Sequence, residues 1–202
     1  MDSDALTVVV ATGNAGKLSE IRSALGSSGW RFVSASELDD SWPSPEEDGA
    51  TFQENARIKA VAAHERFGMA ALADDSGLEV DALDGEPGVF SSRYSGPCAT
   101  DGQNNQRLLT VLEGVPEADR AARFRCSIVL IAQDGTETVA SGACEGRIGF
   151  EPRGDKGFGY DPLFLPLAVP GKSMAELSLA EKNRISHRGA ALDALRELLN
   201  GL

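Results

Sequence analysis

Leu6-Thr-Val-Val-Val-Ala-Thr-Gly-Asn-Ala-Gly-Lys17 opens with a β-branched apolar run and passes into a glycine-bearing turn. The run reads as a buried first strand, and Thr12 to Gly16 has turn composition, so a helix should follow. Leu18, Ile21, Arg22 and Leu25 mark that helix, Gly26 and Gly29 end it, and Arg31 to Ser34 reads as a second strand. A β-loop-α-β opening places the chain among α/β proteins.

Working outward, Asp39 to Ala50 is an acidic, proline-bearing loop that neither helix nor strand tolerates well. Thr51-Phe-Gln-Glu54 is a capping box, Asn55 to Phe67 continues as helix, and Gly68 closes it. A strand is expected over Met69 to Ala73. Asp74-Asp75-Ser76-Gly77 then interrupts the apolar run before Leu78 to Val80 resumes it, which puts two adjacent carboxylates at a strand end. Leu108, Leu109 and Leu112 lie at helical spacing in a segment from about Asn104 to Glu113. Phe124 to Ala132 and Thr136 to Ala143 flank Asp134-Gly135, a hairpin signal. In the tail, Ser173-x-x-Glu176 and Ser178-x-x-Glu181 are capping boxes, and Leu192, Leu195, Leu198 and Leu199 form an apolar stripe. The expected fold is one α/β domain over residues 1 to 202: a mixed, twisted sheet flanked by helices, in two lobes with a central cleft.

Composition narrows the function. Of 202 residues, 42% are hydrophobic and 25% charged, which suits a packed globular core. The net charge of −12 opposes binding to long polyanions, so no nucleic-acid partner is expected. Leu6 to Ala11 is far shorter than the roughly 20 residues that span a bilayer and lacks a basic lead-in, so neither a signal peptide nor a membrane partner is expected. The three cysteines, Cys98, Cys126 and Cys144, form no C-x-x-C pair, which favours a reducing compartment such as the cytoplasm. Only two histidines are present, so a metal, if used, would be a hard ion bound by oxygens.

Four segments carry candidate chemistry. Thr12, Gly13, Asn14, Ala15, Gly16 and Lys17 lie between strand and helix, where backbone N–H groups, the helix dipole and a lysine suit a phosphate; an ordinary βα turn has the same composition. A Walker A loop is excluded, because Gly13 stands three residues before Gly16 and Leu18 follows the lysine. Asp74, Asp75, Glu46 and Glu47 come from separate stretches, as bracketing a Mg²⁺ requires, and one of them can deprotonate water; the other reading is a solvated turn and a charged loop. Gly157-Phe-Gly-Tyr-Asp161-Pro offers aromatics to stack on a flat ring and a carboxylate for its edge, or else a tight turn with buried aromatics. Lys182, His187 and Arg188 concentrate donors in an acidic protein and, with Ser186, suit an oxo substituent; a basic surface helix is the alternative. His64, within a helix, reads as structural or exposed.

The ordered set of segments is more specific than any one of them. Thr12 to Lys17, Glu46 to Ala60, Ala73 to Leu78, Gly85 to Val89, Ser92 to Gly96, Gly157 to Pro162 and Ala175 to Arg188 run nearly end to end. The set closely resembles the inosine/xanthosine triphosphate pyrophosphatases (dITP/XTP pyrophosphatase, Ham1-like). That resemblance implies a homodimeric enzyme that cleaves ITP, dITP and XTP between the α and β phosphates, with Mg²⁺ as cofactor. It implies Asp75 as the metal-linked general base, Glu46 as a further metal ligand, and Thr12 to Lys17 as the triphosphate cradle. Ser76 would touch the substrate, Lys59 a phosphate, and Phe158, Gly159, Tyr160, Asp161, Lys182, His187 and Arg188 would surround the base. Two other readings remain open at this point: a nucleotide pyrophosphatase with another base preference, and a nucleotide sensor without turnover.

Overall fold

A computed structural model describes residues 6–26, 29–43 and 45–200, so Ser44 of the expected acidic loop lies outside it. The order is β1 (Thr7–Val10), α1 (Ala15–Leu25), β2 (Arg31–Ser34), α2 (Ala35–Leu38), α3 (Phe52–Phe67), β3 (Ala70–Val80), α4 (Asp101–Val111), β4 (Ala121–Ile131), β5 (Glu137–Ile148), β6 (Phe164–Pro166), α5 (Leu179–Ile185) and α6 (His187–Asn200). Among the described residues the strands form a six-stranded sheet in the order β2-β1-β3-β4-β5-β6. β1 pairs parallel with β2 and β3, while β5 and β6 pair antiparallel, so the sheet is mixed as expected.

The chain divides into two compact units. The first comprises Met1–Asp75, Cys126–Gly142 and Arg188–Leu202, and the second Ser76–Arg125 and Ala143–His187. In the first unit, β1 is covered on both faces. Val8 and Val10 pack with Ile21, Leu25, Leu192 and Leu195 of α1 and α6, while Val9 packs with Ala56, Ala60 and Ala63 of α3. Period-2 alternation assigns the valines to these faces, and the three small alanines let α3 lie close to the sheet. The second unit has its own core around Leu78, Leu108, Leu112, Ile148, Leu163 and Phe164.

Three expectations are corrected. β3 runs without a break through Asp74 to Gly77, so the two acids lie mid-strand rather than at a strand end. The apolar stripe of α6 is narrower than predicted: Leu192 and Leu195 are buried and Leu199 packs beside them, but Leu198 is 48% exposed. At 100° per residue, Leu198 stands about 240° from Leu192 and so leaves that face. α4 begins at Asp101, because Thr100 and Gln103 form a capping box that the apolar spacing alone did not reveal. The Asp134-Gly135 turn is present as expected, with Gly135 at φ 84° and the Ala132 amide donating to Thr136 O at 2.8 Å.

Candidate active site

In the first unit the site grows from β3. Because side chains alternate along a strand, Asp74 and Asp75 leave on opposite faces. Asp74 continues the Leu72 face toward α1 and α6, where its Oδ2 meets Lys17 Nζ at 3.1 Å and accepts from Arg188 Nε and Nη2 at 3.0 and 2.9 Å. Arg188 Nη1 is bound in turn by Glu20 of α1, and all three side chains are nearly solvent-free. Burial alone would raise the Asp74 carboxyl, but the charges of Arg188, Lys17 and Lys59 outweigh it and hold it well below the usual carboxylate range. Asp74 Oδ1 has no hydrogen-bond partner among the described residues.

Asp75 continues the Ala73 face toward α3. Its Oδ1 lies 3.4 Å from Lys59 Nζ, and its Oδ2 accepts from Asn55 Nδ2 at 3.2 Å. Lys59 also meets Glu47 Oε2 at 3.2 Å. Asp75 is only 7% exposed, and this burial raises its pKa despite Lys59 and Lys17, with Glu47 raising it further. For Lys59, burial acts downward, but Asp75, Asp74 and Glu47 leave it raised. Asn55 is fixed from its other end, where its Oδ1 accepts from Gly49 N at 2.9 Å. A Cβ on Gly49 would come within 2.7 Å of that oxygen, so this loop position requires glycine. Glu46 of the same loop is exposed; the loop carboxylate brought to Asp75 through Lys59 is Glu47.

The Thr12–Lys17 turn caps α1 with its own side chain. Asn14 Oδ1 accepts from Gly16 N at 2.8 Å and Lys17 N at 3.1 Å, and Asn14 N donates to Thr12 Oγ1 at 3.1 Å. Two of the amides expected to face a ligand are therefore taken by the cap.

In the second unit, Gly157 (φ 77°) turns the chain so that the Asp161 carboxylate lies beneath it; a Cβ there would stand 2.0 Å from Asp161 Oδ2. That oxygen accepts from Phe158 N at 2.9 Å and Lys182 Nζ at 2.6 Å. Lys182 Nζ also lies 4.5 Å from the centre of the Phe158 ring, a cation–π distance. Tyr160 is buried and donates its hydroxyl to Ser91 O at 2.9 Å, whereas Phe158 is half-buried. His187 is 5% exposed and stacked on Phe124 at 4.8 Å. Ser76, next to Asp75, is half-buried.

Comparison with known proteins identifies the family. The Ham1 family model matches residues 8–198. The chain belongs to the Ham1 family. A dITP/XTP pyrophosphatase of Geobacter sulfurreducens is 51% identical over 192 residues, covering 95% of this chain and 96% of that one. A HAM1 protein from Coxiella burnetii superposes with a TM-score of 0.87 at 44% identity, covering 98% and 100% of the two chains. A nucleoside-triphosphatase / dITP/XTP pyrophosphatase from Mycobacterium abscessus gives 0.74 at 42% identity, covering 94% and 98%.

Several residues of this Ham1 chain were missed from sequence. Glu20 of α1 has no signal of its own, whereas Glu47 is one of the four acids the sequence offers for a metal, although the family resemblance singles out only Glu46. Asn55 stands in the quoted Glu46–Ala60 segment, and Asp101 follows a capping residue, so both were within reach. Arg188, expected beside the base, is bound to Asp74 and Glu20 within the first unit. His64 accords with its structural reading, its Nδ1 lying 2.8 Å from Met69 O. Among the described residues no helix is long and apolar enough to cross a membrane.

Proposed function

We propose that this Ham1-family chain hydrolyses the deaminated purine nucleoside triphosphates ITP, dITP and XTP to the monophosphate and pyrophosphate, as a cytoplasmic homodimer that uses Mg²⁺. The observation that carries this reading is the buried Asp75, held between Lys59 and Asn55 with its pKa raised, in a chain half identical to a protein named dITP/XTP pyrophosphatase.

The donor set fits a hard divalent ion. Asp75 and Glu47 are both carboxylates, and they already share one cation in Lys59. Burial, with Glu47 beside it, raises the Asp75 pKa despite Lys59 and Lys17, so a further cation there would favour its charged form. Among the described residues no three His, Cys, Asp or Glu side chains form a metal cage, but Mg²⁺ is ordinarily held by one or two carboxylates, with substrate phosphate and water completing its shell. Asp75 and the Glu46-Glu47 pair would hold it. Bound there, it would neutralise charge on the phosphates.

Asp75 orients and deprotonates a water for in-line attack at the α-phosphorus, with pyrophosphate as the leaving group. Asn55 fixes one carboxylate oxygen, and a pKa nearer the working pH makes Asp75 a better base. Lys17 and Lys59 offset phosphate charge, with Thr12 to Gly16 and Ser76 lining the triphosphate. Phe158 stacks on the base, and Asp161 holds Lys182 over that ring. A 6-oxo group accepts from donors at Lys182 and His187, whereas a 6-amino group leaves them unpaired, which disfavours ATP. Arg188 enters as the partner that keeps Asp74 ionised.

The test is pyrophosphate release from ITP, XTP, dITP, ATP, GTP and dUTP, each with Mg²⁺ and with EDTA. Metal-dependent release confined to ITP, dITP and XTP is expected. Preference for another base would overturn the substrate, and tight binding without release would overturn the catalysis.

A further inference from the structure

We propose that Asp101, with Asn105 one turn later, is a positioning residue for base recognition: the start of α4 clamps the peptide groups of Gly159 and thereby sets the orientation of Phe158. This rests on the proposed reading that the 157–161 segment receives the purine.

The clamp begins in local sequence. Thr100 caps α4 through its Oγ1 on Gln103 N, while Gln103 Oε1 accepts from Thr100 N at 2.8 Å. Asp101 is thereby fixed in the first turn, where the helix dipole favours its charge. Its Oδ2 accepts from Gly159 N at 2.6 Å, the short distance of a charge-assisted bond. Residues four apart share a helix face, so Asn105 stands beside it, and its Nδ2 donates to Gly159 O at 2.8 Å and to Asp101 O at 2.9 Å. Two carbonyl acceptors settle which end of that amide carries the nitrogen.

Both polar groups of Gly159, a residue at φ 62°, are thus held by side chains from one helix. Its neighbours are anchored as well, Phe158 N on Asp161 and the Tyr160 hydroxyl on Ser91 O. These ties fix the backbone on both sides of the Phe158 ring, which lies 4.5 Å from the Lys182 ammonium. The cost of this arrangement shows at Asn105, which is 8% exposed and whose Oδ1 has no partner among the described residues. A buried unpaired acceptor is unfavourable, and it is tolerated here beside the two bonds that the same amide donates. The asparagine serves the loop at the expense of its own site.

The experiment measures steady-state ITP hydrolysis with Mg²⁺ and inhibition by inorganic tripolyphosphate, which has no base, for wild type, Asp101→Ala, Asp101→Asn and Asn105→Leu. Wild-type turnover of ITP tests the underlying reading on its own. Given that turnover, Asp101→Ala should raise KM for ITP about tenfold with kcat within about twofold, since loss of positioning acts on binding of the base. Tripolyphosphate inhibition should be unchanged. Asp101→Asn, which keeps an acceptor, should recover most of the KM. Asn105→Leu, which removes the donor to Gly159 O, should likewise raise KM for ITP with tripolyphosphate inhibition unchanged, a split that a merely structural role does not produce. The proposal is overturned if KM for ITP is unchanged in both Asp101→Ala and Asn105→Leu, if tripolyphosphate inhibition weakens in step with KM, or if Asp101→Asn recovers nothing. Should Asp101→Ala fail to fold, Asn105→Leu and Asp101→Asn decide by the same criteria.

Discussion

Asp74 and Asp75, adjacent in the chain, meet opposite electrostatic surroundings because one residue of strand turns the side chain to the other face. At Asp74 two close cations overcome burial; at Asp75 burial wins over Lys59. A carboxyl whose native pKa lies above its unfolded value binds its proton more tightly when folded, so its contribution to stability falls as pH rises through that interval. At neutral pH the folded state therefore carries the Asp75 charge at a cost. Asp75→Asn should abolish pyrophosphate release from ITP and, in EDTA, raise Tm; retained turnover removes Asp75 as the base, and a lower Tm contradicts the direction of its shift. In the wild type, activity should fall on acidification through the raised Asp75 pKa, well before Asp74 is protonated. The sequence offered Asp74 and Asp75 together as candidate acids, and only the family resemblance pointed to Asp75 as the base. It did not show that the pair divides between two faces, because that required β3 to run unbroken.

At the scale of elements, capping chemistry was the most readable signal. Thr51, Ser173 and Ser178 all form the capping boxes expected of them, since each is satisfied within four residues. The Thr51 box also ties down the acidic loop, where Glu54 Oε2 accepts from Ala50 N at 2.7 Å and Thr51 N at 3.1 Å. Thr51→Ala should lower stability by about 1 kcal/mol in urea denaturation with an unchanged m-value, the usual effect of losing an N-cap. No measurable change would mean that the loop, not the cap, holds the start of α3. Strand lengths were less readable. β4 begins three residues before its expected start and β5 runs five residues past its expected end, into segments where Arg123, Glu145 and Arg147 alternate with buried residues. Arg123 pairs with Asp81 and Glu145, and Arg125 with Glu79, so charged strand ends are stabilised by partners distant in sequence.

For the whole molecule, the net charge of −12 conceals a few local concentrations of cations. Lys17, Lys59 and Arg188 gather around two buried aspartates in the first unit, and Lys182 lies on Asp161 in the second. An acidic protein can therefore receive an anionic nucleotide, because screening over about 8 Å at physiological salt leaves the near charges in control. The proposed homodimer is an expectation at this scale: sedimentation equilibrium should give the mass of two chains over the micromolar range, and a single-chain mass throughout would remove it.

By itself the sequence determined the α/β class, the strand-turn-helix opening and the helix caps. These depend on residue type and spacing within a few positions, where steric preference and hydrogen bonding act locally. The tertiary structure alone decided that Asp74 and Asp75 take separate partners, that Arg188 closes an ion-pair network with Glu20, that Glu47 reaches Lys59, and that α4 grips Gly159. Each of those contacts joins residues far apart in the chain, and the short-range forces that make them exist only once the fold has brought the partners within a few ångströms.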